Sequence, residues 1–142
     1  MSDDAPGPLF AVSCTMVRGD RLLLVERGRA PFAGLLSLPG GKVRFGEPVA
    51  DAARRELAEE TGASAGDLAF VTLHEAIDAQ FHAVIAVFGG RLGADATLAA
   101  ADDAAALHWL TMQELRAADA AGRTTPGLYA VATKVLTTLA ES

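Results

Sequence analysis

The segment that most constrains this chain is EPVADAARRELAEETG, residues 47–62. Pro48 suits the first turn of a helix and Gly62 suits the residue just past its end. The spacing therefore predicts one helix between them. At about 100° per residue, Val49, Ala52 and Ala53 form a small apolar stripe, and Glu56, Glu59 and Glu60 continue that stripe toward the helix end. A solvated acidic face lies opposite an apolar stripe; this one extends it. Carboxylates at a helix C-terminus meet the negative end of the dipole, at a cost of about 0.3–1 kcal/mol each. Acids spaced i, i+3, i+4 also lie within about 6 Å of one another at the β-carbon.

Something cationic has to offset them, and the residues leave two sources open. One is the neighbouring arginines: Asp51–Arg55 and Arg55–Glu59 are i, i+4 pairs, which would make a salt-bridge lattice on a surface helix. Arg54 and Arg55 would then also have Asp51 to serve. The other is Mg²⁺ or Mn²⁺, hard cations that take oxygen ligands and bring substrate phosphates with them. The preceding loop, LPGGKVRFGE, bears on the choice. Gly40-Gly41 permits tight backbone approach, so that a carbonyl can turn inward as a further ligand.

The rest of the chain supplies a sheet for this helix. Residues 9–17 and 21–27 read as a hairpin around Gly19-Asp20. A loop follows over 28–34. LLSLPGG, residues 35–41, reads as a short strand running into a Pro-Gly-Gly turn. Residues 68–77 and 81–90 read as strands, 93–106 as an Ala-rich acidic loop, and 107–110 as a short strand. Thr111 and Glu114 spell a capping box opening a short helix. Thr125-Pro126 opens a last helix through Ala140, with Leu128, Val131, Val135, Leu136 and Leu139 on its apolar face. The expected fold is a mixed α/β domain with helices packed on a sheet. Residues 1–8, acidic and Pro/Gly-rich, read as a disordered lead-in without the basic start of a signal peptide, and 9–142 as one domain.

A net charge of −6 argues against a nucleic-acid backbone or anionic membrane as partner. No apolar run approaches the roughly 18 residues of a membrane span. The lone Cys14, inside LFAVSCTMV, reads as a small buried hydrophobe, and a cytoplasmic setting follows by default. His74, His82 and His108 fall in predicted strands at no metal-ligand spacing. Arg27, Arg29 and Lys42 are candidate phosphate contacts, and Phe32 a candidate stacking residue.

From Gly41 to Ala63 the chain reads GKVRFGEPVADAARRELAEETGA. This resembles the Nudix box: glycine, five residues, Glu, seven residues, Arg-Glu, an aliphatic, any residue, Glu-Glu, any residue, Gly, and a small or aliphatic residue. Gly41, Glu47, Arg55, Glu56, Leu57, Glu59, Glu60, Gly62 and Ala63 all fall in place. The resemblance implies an α/β/α sandwich around a mixed sheet, with the Nudix loop-helix and C-terminal helices. It also implies Mg²⁺- or Mn²⁺-dependent hydrolysis of a nucleoside diphosphate linked to another group. The general layout is most similar to the ADP-ribose pyrophosphatase branch, so ADP-ribose or a related dinucleotide is the expected substrate and a homodimer the usual assembly. The alternatives are a nucleoside triphosphate pyrophosphohydrolase, oxidised nucleotides included, and a non-catalytic ligand-sensing domain.

By the same resemblance, Glu56, Glu59 and Glu60 hold the metal, with the Gly40 carbonyl as an extra ligand. Arg55 orients a glutamate, Glu47 anchors loop to helix, and Glu56 doubles as the base that activates water. Two departures stand out. Leu36 occupies a position where many relatives carry Trp. Ala106 occupies one where many carry Glu, for which Asp102 or Asp103 is the candidate substitute.

Overall fold

A computed structural model describes residues 7–28, 30, 32–64, 66–92 and 104–141. The elements, in chain order, are β1 (Leu9–Arg18), β2 (Arg21–Arg27), β3 (Leu36–Ser37), β4 (Gly40–Lys42), α1 (Val49–Thr61), β5 (Ala69–Ile77), β6 (His82–Arg91), β7 (Ala104–Thr111), α2 (Met112–Ala120) and α3 (Leu128–Ala140). The strands form one seven-stranded mixed sheet with the path β3-β2-β1-β6-β5; β4 pairs with β1 and β7 with β2. The β1–β6 ladder is parallel and the others are antiparallel.

Strand alternation sends side chains to opposite faces. Val12, Cys14 and Met16 of β1 pack with Ala52, Ala53 and Leu57 of α1 on one face. Val17, with Leu22 and Leu24 of β2, packs with Leu115 of α2 and Val131 and Val135 of α3 on the other. Helices thus cover both faces of a mixed sheet, the predicted sandwich. The described residues contain no helix long and apolar enough to cross a membrane.

β1 departs from simple hairpin pairing. Its last residues pair with β2 at Val17↔Leu22 and Arg18↔Arg21. Its first half pairs instead with β4, at Ala11↔Lys42, Val12↔Gly41 and Ser13↔Gly40. The expected single strand over 35–41 is therefore two, hinged at Leu38-Pro39, and Gly40-Gly41 lies in a strand where a turn was predicted. Pro39 has no N–H to continue the β3 ladder, and its carbonyl accepts from the Cys14 N–H at 2.8 Å.

Three boundaries also shift. β7 begins at Ala104, inside the predicted loop, because its backbone pairs with β2 as far back as Arg27↔Ala104. Pro48 is the N-cap of α1 and not a first-turn residue. α3 starts at Leu128, after Gly127 in the left-handed region (φ 81°), and not at Thr125-Pro126. The capping box at Thr111–Glu114 forms as read, with both reciprocal bonds. Residues 1–6 of the lead-in and 93–103 of the acidic loop lie outside the described residues.

Candidate active site

α1 delivers the acids and β4 meets them. Gly62 ends the helix in the left-handed conformation (φ 76°) and its N–H bonds the Ala58 carbonyl. Leu57 and Thr61 are fully buried. The Thr61 hydroxyl donates to the Leu57 carbonyl at 2.6 Å and accepts from the Ala63 N–H at 3.0 Å. This anchors the last turn, so the glutamates beside it are fixed in orientation. No basic residue sits in that turn to answer the dipole.

The charge that offsets the acids in this structure is Arg55. Its Nε donates to Glu47 Oε2 at 2.7 Å and Nη2 to Glu47 Oε1 at 3.0 Å, a bidentate fork. Nη1 donates to Glu56 Oε1 at 2.7 Å and to Glu59 Oε2 at 3.3 Å. Nη2 also donates to the Lys42 carbonyl at 3.0 Å. These five bonds match the five N–H donors of a guanidinium, an arrangement lysine cannot reproduce. Of the two i, i+4 pairs the sequence left open, Arg55–Glu59 is formed and Asp51–Arg55 is not, because Arg55 is drawn to β4 and Glu47. Arg54 donates to the Gly66 carbonyl at 2.6 Å.

Glu56 and Arg55 are mostly covered, at 15% and 17% side-chain exposure, whereas Glu59 is 50% exposed. The stripe geometry thus applies to Glu56 and Glu60, which flank the core, and Glu59 sits at the outer edge. A carboxylate oxygen of Glu60 accepts from the Gly40 N–H. Arg44 Nη2 lies 3.7 Å from Glu59 Oε1.

The two glycines explain how β4 approaches so closely. A β-carbon on Gly40 would fall 2.2 Å from the Val12 carbonyl oxygen, and one on Gly41 would fall 2.5 Å from the Glu56 carboxyl carbon. The space a side chain would fill at Gly41 is occupied by the Glu56 carboxylate.

The Glu47 carboxyl is strongly perturbed by its partners. It is lowered from 4.5 to about 2, first by the Arg55 hydrogen bond and then by the Arg44 N–H, which donates to Oε1 at 3.0 Å. Arg55 is correspondingly held above the ordinary guanidinium range, chiefly by Glu47. A depressed carboxylate stabilises the fold above its unfolded pKa and loses that contribution as pH falls through the folded value. The pair is therefore fully effective above about pH 4.5 and fades toward pH 2. Glu47→Gln is expected to flatten the acid limb of a thermal-stability profile over that window. Matching acid limbs in mutant and wild type would assign the acid sensitivity to other groups.

The donor set suits a hard divalent cation: carboxylate oxygens on one helix, next to a glycine strand whose backbone approaches within contact. Among the described residues, however, no group of three or more His, Cys, Asp or Glu side chains converges on one point. Glu56 and Glu59 turn to Arg55, while Glu60 turns to the Gly40 N–H.

Other predicted residues are placed as follows. Arg27 ends β2, and its backbone closes the following loop through Leu35 and Gly34. Phe32 has φ 64° and is 39% exposed. Lys42 meets the site through its carbonyl, while its side chain is exposed. Arg29 and Asp103, with Asp102, lie outside the described residues. Leu36 is buried in the α2–α3 core, so its side chain packs there and presents no stacking surface. Ala106 faces Glu26 across the β2–β7 ladder. His82 lies 3.1 Å from Glu75 and His108 3.4 Å from Glu26, and His74 packs against Gly127. Burial pushes the Cys14 thiol up to about 12, which leaves it inert as a nucleophile near neutral pH. Sequence reasoning missed Arg44 and the Gly40 N–H, because loop-to-helix contacts carry no periodic signal.

A family model for the NUDIX domain matches residues 7–129. The chain belongs to the NUDIX family. Over 92% of this NUDIX chain, the fold matches the crystal structure of a MutT NUDIX hydrolase from Burkholderia pseudomallei, with a TM-score of 0.79, 30% identity and 99% of that chain covered. A 55-residue stretch, 39% of the chain, is 44% identical to an ADP-ribose pyrophosphatase of Methanocaldococcus jannaschii. A 61-residue stretch, 42% of the chain, is 48% identical to a putative 8-oxo-dGTP diphosphatase 2 of Mycobacterium tuberculosis. These matches span 32% and 43% of those two proteins' own lengths.

Proposed function

We propose that this NUDIX domain hydrolyses the pyrophosphate bond of a nucleoside diphosphate linked to another group, with ADP-ribose or a related dinucleotide as substrate. The observation that carries this reading is the Arg55 hub: one guanidinium fixes Glu47, Glu56 and Glu59 beside a glycine strand whose N–H holds Glu60. The stretch similar to the archaeal ADP-ribose pyrophosphatase supports the substrate class.

Glu56, Glu59 and Glu60, with the Gly40 carbonyl, would hold Mg²⁺ or Mn²⁺. When bound, the ion neutralises phosphate charge and lowers the pKa of a coordinated water. The chain's own residues do the rest. Arg55 keeps the Glu56 carboxylate aimed past Gly41, through the 2.7 Å bond to Oε1. Glu56 accepts the proton of the attacking water. Glu47 holds Arg55 from the far side and ties the loop to the helix. Arg27, Arg29, Lys42, Phe32 and Asp103 are assigned to substrate contact on the strength of charge or ring type alone. A nucleotide substrate and a free, buried Cys14 agree with a cytoplasmic setting.

The test is product analysis with Mg²⁺ across ADP-ribose, NADH, diadenosine polyphosphates and common and oxidised nucleoside triphosphates. AMP from ADP-ribose is expected, and chelation with EDTA is expected to abolish it. Pyrophosphate from triphosphates would instead support the second reading, which the 48% identity to the mycobacterial diphosphatase favours. Tight nucleotide binding with no product would mark a ligand-sensing domain.

We also propose a homodimer, joined through the edge strand β5, where Phe70, Leu73 and Ile77 are each more than half exposed. Light scattering that reports a monomer at micromolar concentration would remove it.

A further inference from the structure

We propose that Arg44 and Phe45, at the tip of the turn preceding α1, form a substrate-binding element: Arg44 engages the diphosphate and Phe45 packs against a ring of the group it carries. The proposal rests on the pyrophosphohydrolase reading and adds a recognition surface to it.

The turn is held at a fixed position relative to the acids. The Glu47 N–H donates to the Arg44 carbonyl at 3.0 Å, and the Arg44 N–H donates back to Glu47 Oε1 at 3.0 Å. Gly46 supplies the left-handed residue such a turn needs, with φ 79°. Glu47 is itself gripped by Arg55, which also holds Glu56. The backbone carrying Arg44 and Phe45 is thus built on the same guanidinium that arranges the acids.

On this rigid support the two side chains are uncommitted to the fold. Phe45 is 108% exposed, against 37–63% for the other large exposed apolar residues. It contributes nothing to the core, and its whole ring is available to a ligand. Planar bases and sugars pack on such rings, with little dependence on base identity. Arg44 lies 3.7 Å from Glu59, with the two side chains 65% and 50% exposed. A long, solvent-screened pair of this kind is held weakly. Once a cation takes up the charge of Glu59, a diphosphate drawn to the acids becomes the nearest strong partner for Arg44. Its planar fork matches phosphate oxygens. Both residues fall among the five positions between Gly41 and Glu47 that the box pattern leaves unspecified, so they belong to this chain's selectivity and not to the shared chemistry.

The test is calorimetric titration in the presence of Mg²⁺, with α,β-methylene ADP-ribose and with methylenediphosphonate, on wild type, Arg44→Gln and Phe45→Ala. Phe45→Ala is expected to weaken the nucleotide analogue about tenfold and leave the diphosphonate unchanged. Arg44→Gln is expected to weaken both probes about tenfold. Arg44→Gln should also bind Mg²⁺ alone at least as tightly as wild type. Unchanged melting temperatures would show that the fold survives, since neither side chain is buried. Wild-type affinities for both probes in both variants would overturn the proposal. So would loss of Mg²⁺ binding in Arg44→Gln, because Arg44 would then act through the cation site. A wild-type protein that binds neither probe overturns the pyrophosphohydrolase reading, and this one with it.

Discussion

Glu59→Gln and Glu60→Gln, made singly, are each expected to lower turnover by about 10²-fold or more while the fold survives. Each change removes a charge and keeps an acceptor oxygen. In Glu60→Gln the amide oxygen still accepts from the Gly40 N–H, so the contact between β4 and α1 persists. In Glu59→Gln the lost pairs are the 3.3 Å contact to Arg55 and the 3.7 Å contact to Arg44, at a half-exposed site where such pairs are worth little. Against that loss stands relief at the helix end, whose last turn carries no basic residue. Removing a carboxylate from the last turn returns about 0.3–1 kcal/mol. The melting temperature should therefore hold steady or rise slightly. Initial rates on a confirmed substrate and a thermal melt decide the matter. Wild-type turnover from either variant would remove its glutamate from the metal-binding set.

Alanine substitutions at the two adjacent glycines of β4 are expected to fail in opposite ways. Gly40→Ala places a β-carbon 2.2 Å from the Val12 carbonyl oxygen, which is backbone in the middle of β1. A carbonyl inside a ladder cannot retreat without breaking that ladder, so the loss should be in stability, by about 1–3 kcal/mol or more. Gly41→Ala places its β-carbon 2.5 Å from the Glu56 carboxyl carbon, the far end of a flexible side chain. Glu56 can swing aside, and the fold should survive. Activity should not, because the displaced carboxylate leaves its bond to Arg55; a fall of about 10–100-fold matches the usual effect of disturbing how a ligand is oriented. Urea unfolding and steady-state rates on both variants make the comparison. Equal stability losses with equal residual rates would show that β4 acts only as a spacer and does not shape Glu56.

The helix and its C-terminal stop were readable because they depend on residues no more than four apart. The apolar spacing of Val49, Ala52 and Ala53, the Gly62 stop and the Thr111–Glu114 box each carry their own hydrogen bonds or buried face locally. The acid cluster was readable for the same reason, since its anomaly lies in the helical period. The division of 35–41 into two strands was not. Leu36-Ser37 pairs with β2 and Gly40–Lys42 with β1, and nothing in LLSLPGG says that the partner changes at Pro39. Likewise Ala104 to Ala106 have little strand preference of their own, and they extend because β2 offers them a ladder.

Glu47 and Arg55 show where the boundary lies. Their identities, and the family pattern they satisfy, are in the chain, and so is the helix that carries Arg55. Their bidentate contact crosses eight positions, from a turn to a helix, and Arg44 reaches Glu59 across fifteen. By itself the sequence determined the helix, its acids and the match to the family pattern. Tertiary structure decided which cation answers which acid. A guanidinium selects its partners by distance and orientation, and both are set by how β4 docks on β1, not by the order of residues.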